Sequence, residues 1–213
     1  MTRGRFITFE GGEGAGKSTQ ARLLADALGD LGVPVLRTRE PGGAPGAELL
    51  RELLLSGTIA WSPPAETLLH FAARAEHVET RIRPALAAGT WVVCDRFADS
   101  TMAYQGYGQG ADRAMIATLI GLIGLVPDVT IVLDVSDPVA LARLHSRGAA
   151  PDRYERLDAA FHARVSNGFR AIARAAPERC VVVPADGPEA EVHAAVMRAL
   201  WQCVPPGTPK PST

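Results

Sequence analysis

Phe6-Ile7-Thr8-Phe9-Glu10-Gly11-Gly12-Glu13-Gly14-Ala15-Gly16-Lys17-Ser18-Thr19 is the stretch that decides the fold. A short apolar run of strand type leads into a glycine-rich loop with the spacing G-x-x-x-x-G-K-[ST], a phosphate cradle. The glycines let backbone N–H groups turn toward phosphate oxygens with no Cβ in the way. Lys17 brings a positive charge to the outer phosphates, and the Ser18 hydroxyl is a hard oxygen ligand for Mg²⁺. The residues after the loop predict an amphipathic helix, with Ala21, Leu24, Leu28 and Leu31 on one face and Gly32 as its stop. The positive end of that helix's dipole also faces the loop. Lysine is otherwise rare here, since Lys210 is the only other one, so composition does not explain Lys17.

The rest of the chain is consistent with an enzyme built around this loop. Its 213 residues suit one domain with a substantial core. A formal net charge of −1 argues against a dedicated nucleic-acid binder. No apolar run is long enough to span a bilayer, and Met1 to Arg5 lead straight into a strand with no signal-peptide pattern. Cys94, Cys180 and Cys203 are odd in number and widely spaced, which fits neither a disulfide framework nor a zinc site. A reducing cytoplasm is the expected compartment.

Strand and helix signals alternate. Strands are predicted near Arg5–Phe9, Val33–Arg37, Thr90–Cys94, Val129–Val135 and Arg179–Val183. Helices are predicted near Lys17–Leu31, Ala47–Leu55, Pro64–Ala88, Asp112–Leu125, Pro138–Ser146, Arg156–Ala175 and Pro188–Trp201, with a kink or restart at Pro84. Nearly all-apolar strands imply a parallel sheet covered by helices. The last residues, 203–213, rich in proline and polar side chains, read as a disordered tail.

Ligands of such sheets bind at the carboxyl ends of the strands. Four segments fall there: Glu10–Ser18, Arg39-Glu40-Pro41-Gly42-Gly43, Asp95-Arg96-Phe97 and an arginine-bearing stretch beyond Asp134. Asp95 can hold Mg²⁺ or its waters beside Ser18, and Arg96 can clamp a second phosphate. Residues 144–156 carry Arg147, Arg153 and Arg156, with Arg143 on the preceding helix, and read as a lid that brings cations to a transferring phosphate and excludes water. The N-K-x-D segment that a GTPase switch uses for guanine is absent, because Asn167 is the only asparagine. A nucleotide-binding regulatory module without catalysis is the reading from a different class.

Taken together these residues resemble thymidylate kinase, the family that phosphorylates dTMP with ATP. The resemblance runs from about Phe6 to Trp201. Its most specific marks are the loop Phe9–Thr19, Thr38-Arg39-Glu40-Pro41-Gly42-Gly43, and Asp95-Arg96-Phe97 leading to Ser100-Thr101 and Ala103-Tyr104-Gln105-Gly106; Pro127-Asp128-Val129-Thr130 is also similar. The resemblance implies an α/β, P-loop NTPase fold of the nucleoside monophosphate kinase type, a five-stranded parallel sheet with helices on both faces, as one kinase domain over 1–202. It implies ATP at Gly11, Gly12, Glu13, Gly14, Ala15, Gly16, Lys17, Ser18 and Thr19, with Mg²⁺ at Ser18 and Asp95. It implies catalysis by Lys17, Arg96, Arg147 and Arg153, a cytoplasmic homodimer without nucleic-acid or membrane partners, and a product that feeds dTTP for DNA synthesis. Another nucleoside monophosphate or deoxynucleoside kinase is the nearest alternative.

By the same resemblance, Glu13 accepts from the deoxyribose 3′-hydroxyl, Arg96 binds the dTMP phosphate, and Arg74 reaches the thymine carbonyl edge. Tyr104 packs under the sugar, Thr101 lies near the base, Ser100 and Gln105 also bind the substrate, and Arg39 with Pro41 shape the acceptor pocket. The loop carries Gly14-Ala15 where one variant of the family has an arginine, so the chain resembles the bacterial variant that uses lid arginines, with Arg153 first and Arg147 second. Two positions depart from the family pattern. His70 stands where a phenylalanine usually stacks on thymine, with Phe71 beside it, so either ring is a candidate. An imidazole has less apolar area and ordinarily titrates near neutral pH. Gln109 stands where the family often has arginine.

Overall fold

The computed structural model describes residues 3–148 and 153–204. Five strands, β1 (Phe6–Glu10), β2 (Val35–Arg39), β3 (Trp91–Asp95), β4 (Val129–Asp134) and β5 (Cys180–Pro184), form one parallel sheet in the order β2-β3-β1-β4-β5. The central strand β1 is buried along its whole length, whereas the edge strand β2 is partly exposed. Its alternation divides the core. Ile7 and Phe9 face Leu24, Leu28, Val192, Val196 and Leu200 of α1 (Lys17–Asp30) and α9 (Glu189–Cys203). Phe6 faces the other side, against Ile82, Leu86 and Phe97. Val132 of β4 extends that side to Phe161, Val165 and Phe169 of α8 (Ala159–Ala175).

The remaining helices are α2 (Pro45–Leu55), α3 (Pro63–His77), α4 (Arg83–Ala87), α5 (Ala98–Thr101), α6 (Arg113–Ile123) and α7 (Asp137–Ser146). The helix expected over Pro64–Ala88 is divided. A π-helical turn at Val78–Ile82 precedes α4, and Pro84 lies in the first turn of α4. A proline ring clashes with the carbonyl four residues back and offers no N–H, and a wide π turn accommodates both. The helix expected from Arg156 begins instead at Ala159, where the Asp158 carboxylate accepts from the Phe161 N–H at 2.7 Å and caps it. A helical segment that sequence reading missed runs from Ala98 through a π-helical Met102–Gly108. Cys203 ends α9 and Val204 is buried, so the expected tail does not begin at 203; its remainder, 205–213, lies outside the described residues.

Candidate active site

The carboxyl ends of β1, β2, β3 and β4 bring the four expected segments to one rim. They border a cavity of about 770 Å³. The glycine-rich loop closes its floor. Gly11 (φ 137°) presses on β4, and a Cβ there would lie 2.5 Å from the Leu133 carbonyl oxygen. Gly14 (φ 69°) presses on α7, where a Cβ would meet the Ala140 oxygen at 2.5 Å. Gly14, Ala15, Gly16, Lys17, Ser18 and Thr19 line the cavity, while Gly11 and Gly12 lie behind it.

Lys17 is buried, and its Nζ donates to the Gly12 carbonyl at 2.6 Å. Burial, then the nearby Arg96 charge, lowers its pKa to about 8. The Ser18 hydroxyl donates to Asp95 Oδ2 at 2.5 Å, and Asp95 Oδ1 is buried without a partner among the described residues. A hydroxyl and a carboxylate with an unused oxygen are the hard donors that suit Mg²⁺.

Arg96 follows β3 in a left-handed conformation (φ 69°) and is the hub of the site. Its guanidinium donates to Glu13 Oε1 at 2.7 Å, the Tyr104 hydroxyl at 3.0 Å, the Gly11 carbonyl at 3.2 Å and Ser100 Oγ at 3.2 Å. It also stacks 4.8 Å over the Tyr104 ring. Tyr104 donates to Glu13 at 2.7 Å, closing a triangle. Burial opposes ionisation of Glu13, but Arg96, Lys17 and the Tyr104 hydrogen bond outweigh it and hold the carboxyl near 2. The turn holding Arg96 is pinned by Glu10, which accepts from the Phe97 N–H at 2.8 Å and Ser100 Oγ at 2.5 Å. Burial, then the charge of Asp99, pushes Glu10 up to about 8.

On the other wall Arg74 is 2% exposed. Its Nε donates to Glu40 at 2.7 Å and its Nη2 to the Phe97 carbonyl and Thr101 Oγ1 at 3.0 and 3.1 Å, while Nη1 has no partner among the described residues. A buried guanidinium fixed on three sides, with one donor unused in the cavity wall, is built to meet an acceptor atom. Glu40 also accepts from His77 Nδ1 at 3.0 Å, and His77 bonds Thr38 at 2.7 Å. Ser100, Thr101, Tyr104 and Gln105 border the same wall, and Arg39, paired with Glu48 at 3.1 Å, and Pro41 border its rim.

Three expectations are corrected. Phe71 is not in the cavity wall; it packs with Ala111 and Ile116 behind Arg74, whose guanidinium lies 4.6 Å over its ring. One helical position, about 100° of rotation, separates it from His70, which does border the cavity. Near-neutral titration of His70 is also corrected, because burial, then the charge of Arg74, lowers it to about 3. Arg153, expected to lead on the phosphate, is instead ion-paired with buried Glu66 and does not border the cavity. Arg147 does border it, paired with Glu155 at 2.7 Å. Of the 144–156 segment, residues 149–152 lie outside the described residues. Gln109 donates to Glu66 at 2.9 Å and supplies no cation to the wall.

Sequence reasoning missed Glu10, Glu40, Glu66, Tyr154, and two cavity-lining arginines in organising roles. Arg51 donates to the Pro41 carbonyl at 2.7 Å, and Arg143, named only as a nearby charge, donates to the Gly187 carbonyl at 3.1 Å. A signal existed for Glu10 and Glu40: Glu10 ends β1 and Glu40 follows β2 at the rim, where a buried carboxylate is costly unless it organises neighbours.

The thymidylate kinase family model matches residues 9–196. The thymidylate kinase of Caulobacter vibrioides is 53% identical over 205 residues, covering 95% of this chain and 98% of that protein. That of Gluconobacter oxydans is 55% identical over 205 residues, covering 94% and 95%. The crystal structure of thymidylate kinase from Ehrlichia chaffeensis superposes with a TM-score of 0.78 at 39% identity, covering 93% of this chain and 99% of that one. With the loop, the Arg96 hub and the Arg74 wall in one cavity, these matches show that the chain belongs to the thymidylate kinase family.

Proposed function

We propose that the chain transfers the γ-phosphoryl group of ATP to a phosphate oxygen of dTMP, giving dTDP and ADP. The observation that carries this reading is one cavity bordered both by the glycine-rich loop and by a separate wall that carries the cations Arg96 and Arg74. The attacking oxygen is already anionic, so no strong base is needed; positioning and charge neutralisation suffice. The P–O bond from the γ-phosphorus to the β-bridging oxygen breaks as the new P–O bond forms. Lys17 neutralises the β- and γ-oxygens, and Arg96 holds the acceptor phosphate. Glu13, kept ionised by Arg96, accepts from the sugar hydroxyl. Arg74 Nη1 donates to a base carbonyl, and His70 stacks on the base as a neutral ring. Arg147 supplies the lid cation, because it borders the cavity and Arg153 does not. Ser18 and Asp95 would hold Mg²⁺, which would offset negative charge on the phosphates of ATP.

A cytoplasmic location and a homodimer complete the proposal. No helix among the described residues is long and apolar enough to cross a membrane. Leu68 and Ala72 are exposed one turn apart on α3, whereas Ala73 is in the core; with exposed Leu49 and Leu122 they support a packing face for a second copy.

A panel of nucleoside monophosphates tests the acceptor. dTMP is expected to give the highest kcat/KM, and faster turnover of dCMP or GMP overturns the assignment. The depressed Lys17 predicts a pH dependence. As pH rises through about 8 the nucleotide-free enzyme loses that charge, so kcat/KM for ATP falls above pH 8 and is level below pH 7. A profile flat to high pH contradicts this role of Lys17.

A further inference from the structure

Glu66, wholly buried on α3, accepts from Gln105 Nε2 at 2.8 Å, Gln109 Nε2 at 2.9 Å, the Tyr154 hydroxyl at 2.7 Å and Arg153. The Tyr154 hydroxyl in turn contacts His70 Nε2 at 2.9 Å and accepts from Gln105 Nε2 at 3.1 Å. A phenol oxygen has one proton and two lone pairs. Glu66 is ionised, its pKa lowered by hydrogen bonds from Tyr154, Gln105, Gln109 and Arg153 against the opposing effect of burial. A carboxylate oxygen at that distance needs the tyrosine proton between them, so the hydroxyl donates to Glu66. His70 must then donate: its proton is on Nε2, and Nδ1 keeps its lone pair. His70 is thus fixed in one tautomer and one ring orientation by a residue 84 positions away.

Tyr154 also touches the other half of the acceptor wall. Its ring meets Tyr104 edge to face, with centroids 5.5 Å apart, and Tyr104 belongs to the Glu13–Arg96 triangle. Tyr154, His70 and Tyr104 therefore form a continuous wall from the base side to the sugar side of the cavity, and Tyr154 is the member that joins the two halves.

We propose that Tyr154 is a positioning residue for the acceptor nucleotide, holding the His70 imidazole in the orientation in which it packs on the base. The inference rests on the acceptor reading of this cavity. It makes acceptor affinity depend on a residue carried by the segment that also bears Arg147. Tyr154 touches no reacting atom, so its effect falls on dTMP binding and leaves phosphoryl transfer in the bound complex alone.

The test uses the full chain and the variants Tyr154→Phe, His70→Phe and the double variant. Tyr154→Phe is expected to raise KM for dTMP about fivefold, the worth of one neutral hydrogen bond, with kcat and KM for ATP within about twofold. In His70→Phe, which stacks without needing a partner, the added Tyr154→Phe change is expected to have no further effect on KM for dTMP. Side-chain ¹H–¹⁵N correlation of His70 is expected to give the Nε2–H tautomer in the parent protein and an averaged pattern in Tyr154→Phe. This spectrum needs no turnover, so it tests the lock even where wild-type protein shows no dTMP-dependent ADP release, a result that would overturn the proposed function instead. An Nδ1–H tautomer in the parent, an unchanged spectrum in Tyr154→Phe, or equal effects of Tyr154→Phe in the parent and in the His70→Phe variant each overturns the proposal.

Discussion

Lys17→Met is expected to lower kcat about a thousandfold or more while leaving the protein folded. The two halves of that expectation have separate causes. Catalysis suffers because phosphoryl transfer leaves the protein little to do except neutralise charge and position groups, and Lys17 is the cation of the loop itself. Stability suffers little, because the buried ammonium makes one hydrogen bond among the described residues, to the carbonyl of half-buried Gly12, and removing it also removes the cost of burying a charge. No ion pair within salt-bridge distance is broken among the described residues, and the methionine stem fills the space of the lysine stem. The loss should stay within about 1 kcal/mol. Steady-state ADP release and a thermal melt check both halves, and near-normal turnover in a folded variant contradicts the role given to Lys17.

Arg96→Met is expected to be damaging in both respects. It removes the proposed acceptor-phosphate clamp, which should cost about a hundredfold or more in kcat/KM for dTMP. It also strands Glu13, whose side chain is 14% exposed and whose charge Arg96 compensates at 2.7 Å. Leaving a buried charge unpaired should cost about 3 kcal/mol of stability. The pH dependence gives the sign. In the parent, Glu13 is lowered from its ordinary value of 4.5 to about 2, so its contribution is present above pH 4.5 and is lost as pH falls toward 2. In the variant, burial is opposed only by what remains, chiefly Lys17 and the Tyr104 hydrogen bond, so the carboxyl moves upward from about 2 and the stability that Glu13 contributes above pH 4.5 shrinks. Adding Glu13→Gln to Arg96→Met should recover stability without recovering activity. Urea unfolding at several pH values distinguishes this from a general loss of packing, in which Glu13→Gln would bring no recovery.

The parts of this molecule that are local in sequence were legible in it. The loop after β1, the five parallel strands and the position of Asp95 and Arg96 at a strand end follow from spacing and apolar runs. What was not legible depended on distant partners. The Ala98–Gly108 segment carries glycines that discourage a helix reading, yet a Cβ on Gly108 would lie 2.6 Å from Phe161, so packing against α8 requires what local propensity disfavours. Arg153 reads as a loop arginine until Glu66, 87 positions earlier, is seen to hold it. His70 and Phe71 are neighbours in sequence, and only the helix phase fixed by buried Ala73 and Arg74 tells which one borders the cavity. Glu10 and Glu40 sit inside motifs that were recognised, but their work is to pin the backbone after β3 and to aim Arg74, which no spacing rule reports.

One cavity joining a triphosphate loop to an acceptor site directs transfer to dTMP rather than to water in the proposed function. ADP release from ATP and Mg²⁺, followed with and without dTMP, tests it most directly. Release is expected to be negligible alone, to rise with dTMP, to saturate, and to match dTDP formed one for one. ADP release at a similar rate in the absence of dTMP, or without dTDP, would contradict it.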